Sequence, residues 1–416
     1  MPFAHSYLRW IILALLALLV GWRVVVVGMS DFHAASGQPE KALEWRANHH
    51  AALDTVATGL VEADQTKSID LLACSLSANP LHGLTFARLA TLLELSGDAP
   101  RATLALEQAI RLAPQHSDTR HIATAIALAR NNLPGALEHW NVVLTRRADL
   151  RSEIFPTVLA LASQPANLPA IEQLLQSGPV PWWPRFMSYA ANEADDWAVP
   201  VQLYRISKRA AAESLTPPAL NAFLNRLQRE GFWLDARLAW LDSLDEAQLH
   251  NLGNVFNGSF EQPISNIGFD WVNRRVSQVV VEPTPTQAVD GEYALRVHFR
   301  GPRIRYSHFS QLLMLPPGHY RLDGFVRPEG LETANGVMWT ISCHGGSTQR
   351  IAATRPIKGR TGSWRPFTQG FSVPAEDCPA QRLRLQLDGR AALDFEARGT
   401  VWFDALTIKR EIRSRH

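Results

Sequence analysis

The feature that most limits how this chain folds is an apolar pattern that recurs between His49 and Leu150 at a step of about 34 residues. Its clearest copy runs from Gly83 to His116, GLTFARLATLLELSGDAPRATLALEQAIRLAPQH. Phe86, Leu89, Ala90 and Leu93 fall on one stripe of a first helix. Gly97 and Asp98 interrupt it, Ala102, Leu106 and Ala109 make a second stripe, and Pro114 closes the unit. One frame back, His49 to His82 puts Leu72 where Leu106 stands and Pro80 where Pro114 stands. One frame forward, starting at Ser117, Ala123, Ala127, Ala136 and Trp140 occupy the corresponding faces. A lone hairpin cannot bury such stripes, so consecutive copies must stack.

This order of small and large residues resembles the tetratricopeptide repeat. Beyond Leu150 the frame loosens, yet helical stripes continue through residues 154–162, 168–175, 184–191 and 199–212, separated by breaks such as SQPANLP and SGPVPWWP. Leu220, Phe223, Leu224 and Leu227, then Gly231, then Ala236 and Trp240 match the repeat again. Residues 39–244 therefore read as one α-solenoid, opened by a helix from Pro39 to Asn48 with Leu43 and Trp45 making its first contact. His49 and His50 are adjacent and point to different faces, which argues against a metal pair and for surface positions.

Residues 10–29, WIILALLALLVGWRVVVVGM, are almost wholly apolar. That is close to the ~20 residues a helix needs to span a bilayer. Arg23 lies near the far end, where its side chain can snorkel, and Trp10 and Trp22 suit the interfaces. Arg9 followed by an apolar run also fits a signal peptide, but Gly21 to Ser30 offers no small-x-small cleavage site, which favours an uncleaved anchor. The expectation is a cytoplasmic leader at 1–9, a transmembrane anchor at 10–29 and a linker at 30–38. The protein would be a single-pass bacterial inner-membrane protein with most of its chain in the periplasm.

Near Asn251 the helical spacing gives way to short alternating segments between Gly and Pro turns. YALRVHF, HYRLDGFV, GVMWTIS, QRLRLQL and TVWFDALTI each read as a strand. In QRLRLQL, Leu383, Leu385 and Leu387 face one way, and Arg382, Arg384 and Gln386 the other, as in an antiparallel sheet with one buried and one wet face. A linker at 245–256 and a jelly-roll sandwich at 257–412 follow. The fold class is multidomain α + β: an N-terminal transmembrane helix, a tetratricopeptide-type α-solenoid and a C-terminal antiparallel β-sandwich.

NGSFEQPISNIGFDW at residues 257–271, LLMLPPGHYRLDGFV and VWFDALTI are similar to the bacterial carbohydrate-binding modules of the galactose-binding-like jelly-roll class. The likeness covers the carboxy-terminal domain in order, through short, loose motifs. It implies that Glu261 and Asp404 help hold a structural calcium. Their oxygens are suitable hard ligands, but on the residues alone two carboxylates do not specify a site, and surface acids or hydrogen-bonded strand ends remain open. No cofactor is otherwise required.

A formal net charge of +2, from 41 basic and 39 acidic residues, gives no field for nucleic acid. No G-x-S-x-G elbow, phosphate loop, dinucleotide fingerprint or H-E-x-x-H helix is present. Cys74 reads as a small buried residue. Cys343 and Cys378 share the downstream domain and could pair if it lies outside the cytoplasm. SCHGGS at 342–347 is a weak candidate for nucleophilic catalysis, since geometry and not adjacency makes such a pair.

A sugar ring offers apolar C–H faces and a rim of hydroxyls, so an exposed aromatic ring beside polar side chains suits it. The candidates are Trp271 with Asn273 and Arg274, Trp339 on a strand, and Trp364 beside Arg365, with core packing open for each ring. Trp402 reads as core, and Trp182 and Trp183 as wedges between helices. The combined resemblance implies a non-enzymatic membrane-bound scaffold of exopolysaccharide or O-antigen assembly, its solenoid holding a protein partner and its sandwich engaging glycan. A polysaccharide-modifying lyase or hydrolase subunit and a purely protein-binding adaptor are the alternatives.

Overall fold

The structure, a computed structural model, describes residues 3–210, 215–301 and 303–411, with side chains from Trp10 onward. The start of the expected leader, and residue 412 with the basic end after it, lie outside the described residues. The chain divides into two compact units, Met1–Trp183 with Arg205–Ala212, and Pro184–Tyr204 with Glu213–His416.

The first unit begins with α1 (Phe3–Ala35), which over Trp10–Ala35 is long and apolar enough to cross a membrane. It runs six residues past the expected end of the span because the first breaker is Gly37, at φ 72°. Most of the expected linker is thus helical. Ser30 donates its hydroxyl to the Ala42 carbonyl at 2.9 Å, fixing the end of α1 on α2 (Pro39–Trp45). The apolar contact of α2 is Ala42, fully buried, while Trp45 stays exposed. His49 is buried as well. It caps α3 (His50–Gly59) by accepting from the Ala52 amide, and its Nε2 meets Asp31 at 2.9 Å, so it is a structural cap and not a surface residue.

Three hairpins follow in the predicted frame: α3 with α4 (Gln65–Ala78), α5 (Gly83–Leu95) with α6 (Ala99–Leu112), and α7 (Ser117–Ala129) with α8 (Leu133–Arg146). Ser68, Ala102 and Ala136 are equivalent and buried, as are Ser75, Ala109 and Val143, because helix backbones approach where side chains are small. The same step places an N-cap before each second helix. Asp64, Asp98 and Asn132 accept from the amides of Lys67, Arg101 and Gly135. Asp54, buried, takes hydroxyl hydrogen bonds from Ser75 at 2.6 Å and Thr85 at 2.5 Å and pairs with Arg88, so one carboxylate joins α3, α4 and α5. Cys74 is exposed on α4, contrary to expectation. α9 (Arg151–Ala162) and α10 (Leu168–Ser177) continue the helical array.

The unit division passes through α11 (Trp183–Glu193) and α12 (Ala198–Arg209). The second unit contains the hairpin α13 (Pro217–Arg229) and α14 (Trp233–Leu241), the short α15 (Glu246–His250), and the sandwich. One sheet has the order β1 (Trp271–Asn273), β4 (Phe309–Leu313), β9 (Ala380–Leu387), β6 (Val337–His344), β7 (Arg350–Ala353). The other runs β2 (Val279–Pro285), β3 (Tyr293–Arg300), β10 (Ala397–Arg410), β5 (Gly318–Thr333), β8 (Arg365–Val373). All ladders are antiparallel. Leu295, Val297 and Phe299 of β3 face Leu383, Leu385 and Leu387 of β9 across a common core.

The hairpin α13–α14 shares an apolar core with this sandwich. Leu220, Phe223, Leu224, Leu227 and Trp240 pack with Phe256 and Phe269, and Leu312 and Met314 lie against them. Gly268, at φ +60°, lies so close that a Cβ there would stand 2.5 Å from the Trp240 ring. The hairpin read from sequence as the last turn of the solenoid is therefore one wall of the sandwich unit.

Candidate functional site

The structure places two of the expected sugar-binding rings where no sugar reaches. Trp271 and Trp339 are both 0 % exposed, with ring centroids 5.6 Å apart and Phe309 stacked on Trp271 at 4.8 Å. They are the centre of the sandwich core, because a strand only three residues long still alternates and the inward position of β1 falls on Trp271. Trp364 is half-buried. Its indole donates to the Gln287 carbonyl at 2.8 Å, and Arg327 covers one face at 4.8 Å from the centroid. The same guanidinium lies 4.7 Å from Trp402.

The expected calcium ligands Glu261 and Asp404 are both engaged by backbone amides. Glu261 Oε1 accepts from the amides of Glu292 and Tyr293, and Asp404 Oδ2 from those of Val289 and Asp290. Asp404 Oδ1 accepts from the Ala405 amide. N–H dipoles aimed at these oxygens stabilise both carboxylates as anions. Burial, the largest influence, raises the Asp404 pKa, with these amides opposing it. Among the described residues no group of three or more His, Cys, Asp or Glu could hold a metal. Cys343 and Cys378 form a disulfide, with Cα atoms 4.9 Å apart. It ties the end of β6 to the segment before β9, and so its two sulfurs are structural; the thiol of SCHGGS is no nucleophile.

Arg274 leads to a different place. It stands just after β1, its amide donating to the His308 carbonyl at 2.9 Å, and it lines a cleft of about 280 Å³ over the outward face of the β1–β4–β9 sheet. Registry builds the floor. Ser310 on β4 pairs with Arg384 on β9, which pairs with Thr340 on β6; Leu312 pairs with Arg382, which pairs with Ser342. Directly paired residues share a face, so the leucines of β9 go to the core and Arg382 and Arg384 to the cleft. The opposite wall is α13, whose Asn221, Asn225 and Gln228 recur at helical spacing on the side away from Phe223 and Leu227. Asn266 and Gly268 close one end.

The electrostatics are one-sided. Arg274, Arg382 and Arg384 line the cleft with His308, and among the described residues its lining contains no Asp or Glu. Burial, then Arg384 and Arg274, bring the Arg382 pKa down to about 10. Burial and then Arg274 lower that of Arg384. Burial lowers His308, with Arg274 and Arg384 adding to it. The Arg384 Nε is buried without a hydrogen-bond partner. Sequence reasoning found Arg274 as a neighbour of Trp271, and assigned Arg382 and Arg384 to the wet face. It placed α13 in the solenoid and missed its polar side as a wall of the cleft, since nothing in a helical stripe tells which sheet that side faces.

No known family's sequence pattern matches this chain, and no curated protein does. Among solved structures the chain is similar to a protein described as "CBM4 structure and function", at 16 % identity over 38 % of this chain and 99 % of that one, TM-score 0.29. It is similar to the CBM22-1 xylan-binding domain of Paenibacillus barcinonensis Xyn10C, at 19 % identity over 38 % and 94 %, TM-score 0.27. It is also similar to PilF of Pseudomonas aeruginosa, at 14 % identity over 53 % and 90 %, TM-score 0.27.

Proposed function

We propose that this chain is a membrane-anchored scaffold on the periplasmic side of a bacterial inner membrane, serving exopolysaccharide or O-antigen assembly or export, without catalytic activity of its own. Its stacked hairpins hold a protein partner of that machinery, and its sandwich unit binds glycan in the cleft between α13 and the β1–β4–β9 sheet.

The observation that carries the reading is the cleft itself. Amide side chains from Asn221, Asn225 and Gln228 face guanidinium and hydroxyl groups across a concave space, and hydrogen-bond donors and acceptors converging in this way suit the hydroxyl rim of a sugar. The apolar Trp10–Ala35 helix supports the anchor, and the Cys343–Cys378 disulfide suits an oxidising compartment. The test is retention of the full chain in detergent on immobilised polysaccharides, with release of reducing ends or unsaturated sugars measured in parallel. Retention without release is expected. Release would move the chain to the polysaccharide-modifying enzymes, and no retention on any glycan would leave the adaptor reading.

A further inference from the structure

Resting on that reading of the cleft, we infer that its ligand is an acidic saccharide, a glycan whose carboxylate or phosphate substituent docks against Arg274, Arg382 and Arg384.

Three guanidiniums meet on one face of the sheet, and no acidic side chain among the described residues lines the space they share. Each keeps its charge at neutral pH, so their mutual repulsion and partial burial are a standing cost. An anion placed among them offsets both, with charge-assisted hydrogen bonds roughly twice as strong as neutral ones. The buried, unpartnered Nε of Arg384 is a donor left waiting for an acceptor. His344 does not fill this role, since its Nε2 is already taken by Arg382 at 2.9 Å.

The rest of the lining says that the anion is attached to a sugar. Asn221, Asn225 and Gln228 add amide donors and acceptors on the opposite wall. A free inorganic anion would not need them. A neutral glycan would call for an aromatic platform against its C–H faces. The lining includes no Trp, Tyr or Phe among the described residues, because the nearby rings Trp271 and Phe309 face the core. At about 280 Å³ the cleft takes a short stretch of chain, near the lower end of the ~300–1,000 Å³ of small-molecule sites.

The experiment is calorimetric titration of the full chain in detergent with oligogalacturonate and oligomannuronate, size-matched neutral galactan and xylan oligosaccharides, inorganic phosphate, and a poly-glutamate peptide. We expect an acidic oligosaccharide to bind at least about tenfold tighter than any neutral one, with an affinity that falls as salt rises. Arg384→Gln and Arg274→Gln should each lose about tenfold or more, and Asn225→Ala a smaller amount, with thermal unfolding unchanged. Equal binding of acidic and neutral glycans, indifferent to the arginine substitutions, overturns the inference and leaves glycan binding standing. Phosphate or poly-glutamate binding as tightly as the uronates overturns it together with the glycan reading. Binding of none of the probes also overturns both.

Discussion

Arg382 donates from Nη2 to His344 Nε2 across 2.9 Å, which requires that nitrogen to be unprotonated. The His344 pKa is pushed down to about 4, first by burial and then by Arg382 and Arg384. Above pH ~6.5 the imidazole is neutral in both folded and unfolded chains and stability is unaffected. Between about 6.5 and 4 the unfolded chain takes up a proton that the folded one refuses, so acidification destabilises; below about 4 the loss is complete. The residue is half solvated, so the effect after screening is about 1–2 kcal/mol. Urea unfolding at pH 7 and pH 4.5 should show His344→Gln losing about 1 kcal/mol less than the parent over that interval. An equal loss in both would show that the imidazole does not titrate against its neighbours.

The two rings at the centre of the sandwich should behave as core. Trp271→Ala should cost about 3–5 kcal/mol, the range for emptying a large buried site. Trp364→Ala removes a half-exposed ring that stacks on Arg327 and should cost only about 1 kcal/mol. Denaturant midpoints of the two variants decide it, and a Trp271→Ala protein of parental stability would contradict its burial.

Gly268→Ala combines an unfavourable left-handed backbone with a Cβ driven into the ring of Trp240 and the side chain of Leu224. A loss of roughly 2 kcal/mol is expected, together with weaker ligand binding, because the loop carrying Asn266 closes the cleft. Unfolding and titration of the same sample separate the two effects.

Replacing Cys343 and Cys378 together by Ala opens a loop spanning a sequence separation of 35. The expected cost is roughly 2–4 kcal/mol, and it should appear equally when the parent protein is reduced before unfolding. A reduced protein as stable as the oxidised one would show that the bridge contributes nothing to the folded sandwich.

What was legible in the sequence followed from short-range periodicity. The stripes at Phe86, Leu89 and Ala90 fixed a hairpin frame, and QRLRLQL fixed which residues of β9 go inward, because both patterns repeat within one element. The caps Asp64, Asp98 and Asn132 were also there to be found, spaced at the same step and each followed three residues later by the amide it accepts. The aromatic site was misread for a physical reason: a Trp beside Asn and Arg is equally consistent with either face of a strand until its partners are known. Trp271 joins Phe309 only through pairing with a strand nearly 40 positions away. The cleft depends on three strands and a helix meeting, and no local pattern contains that.

The shared apolar core of α13–α14 and the sandwich has a practical corollary. A fragment begun at the change of composition near Asn251 would carry the arginine floor yet leave behind Asn221, Asn225 and Gln228. It would also expose Phe256, Phe269 and Leu312 to water. The cleft thus belongs to a helix-plus-sheet body, and a fragment that keeps both of its walls starts ahead of Pro217.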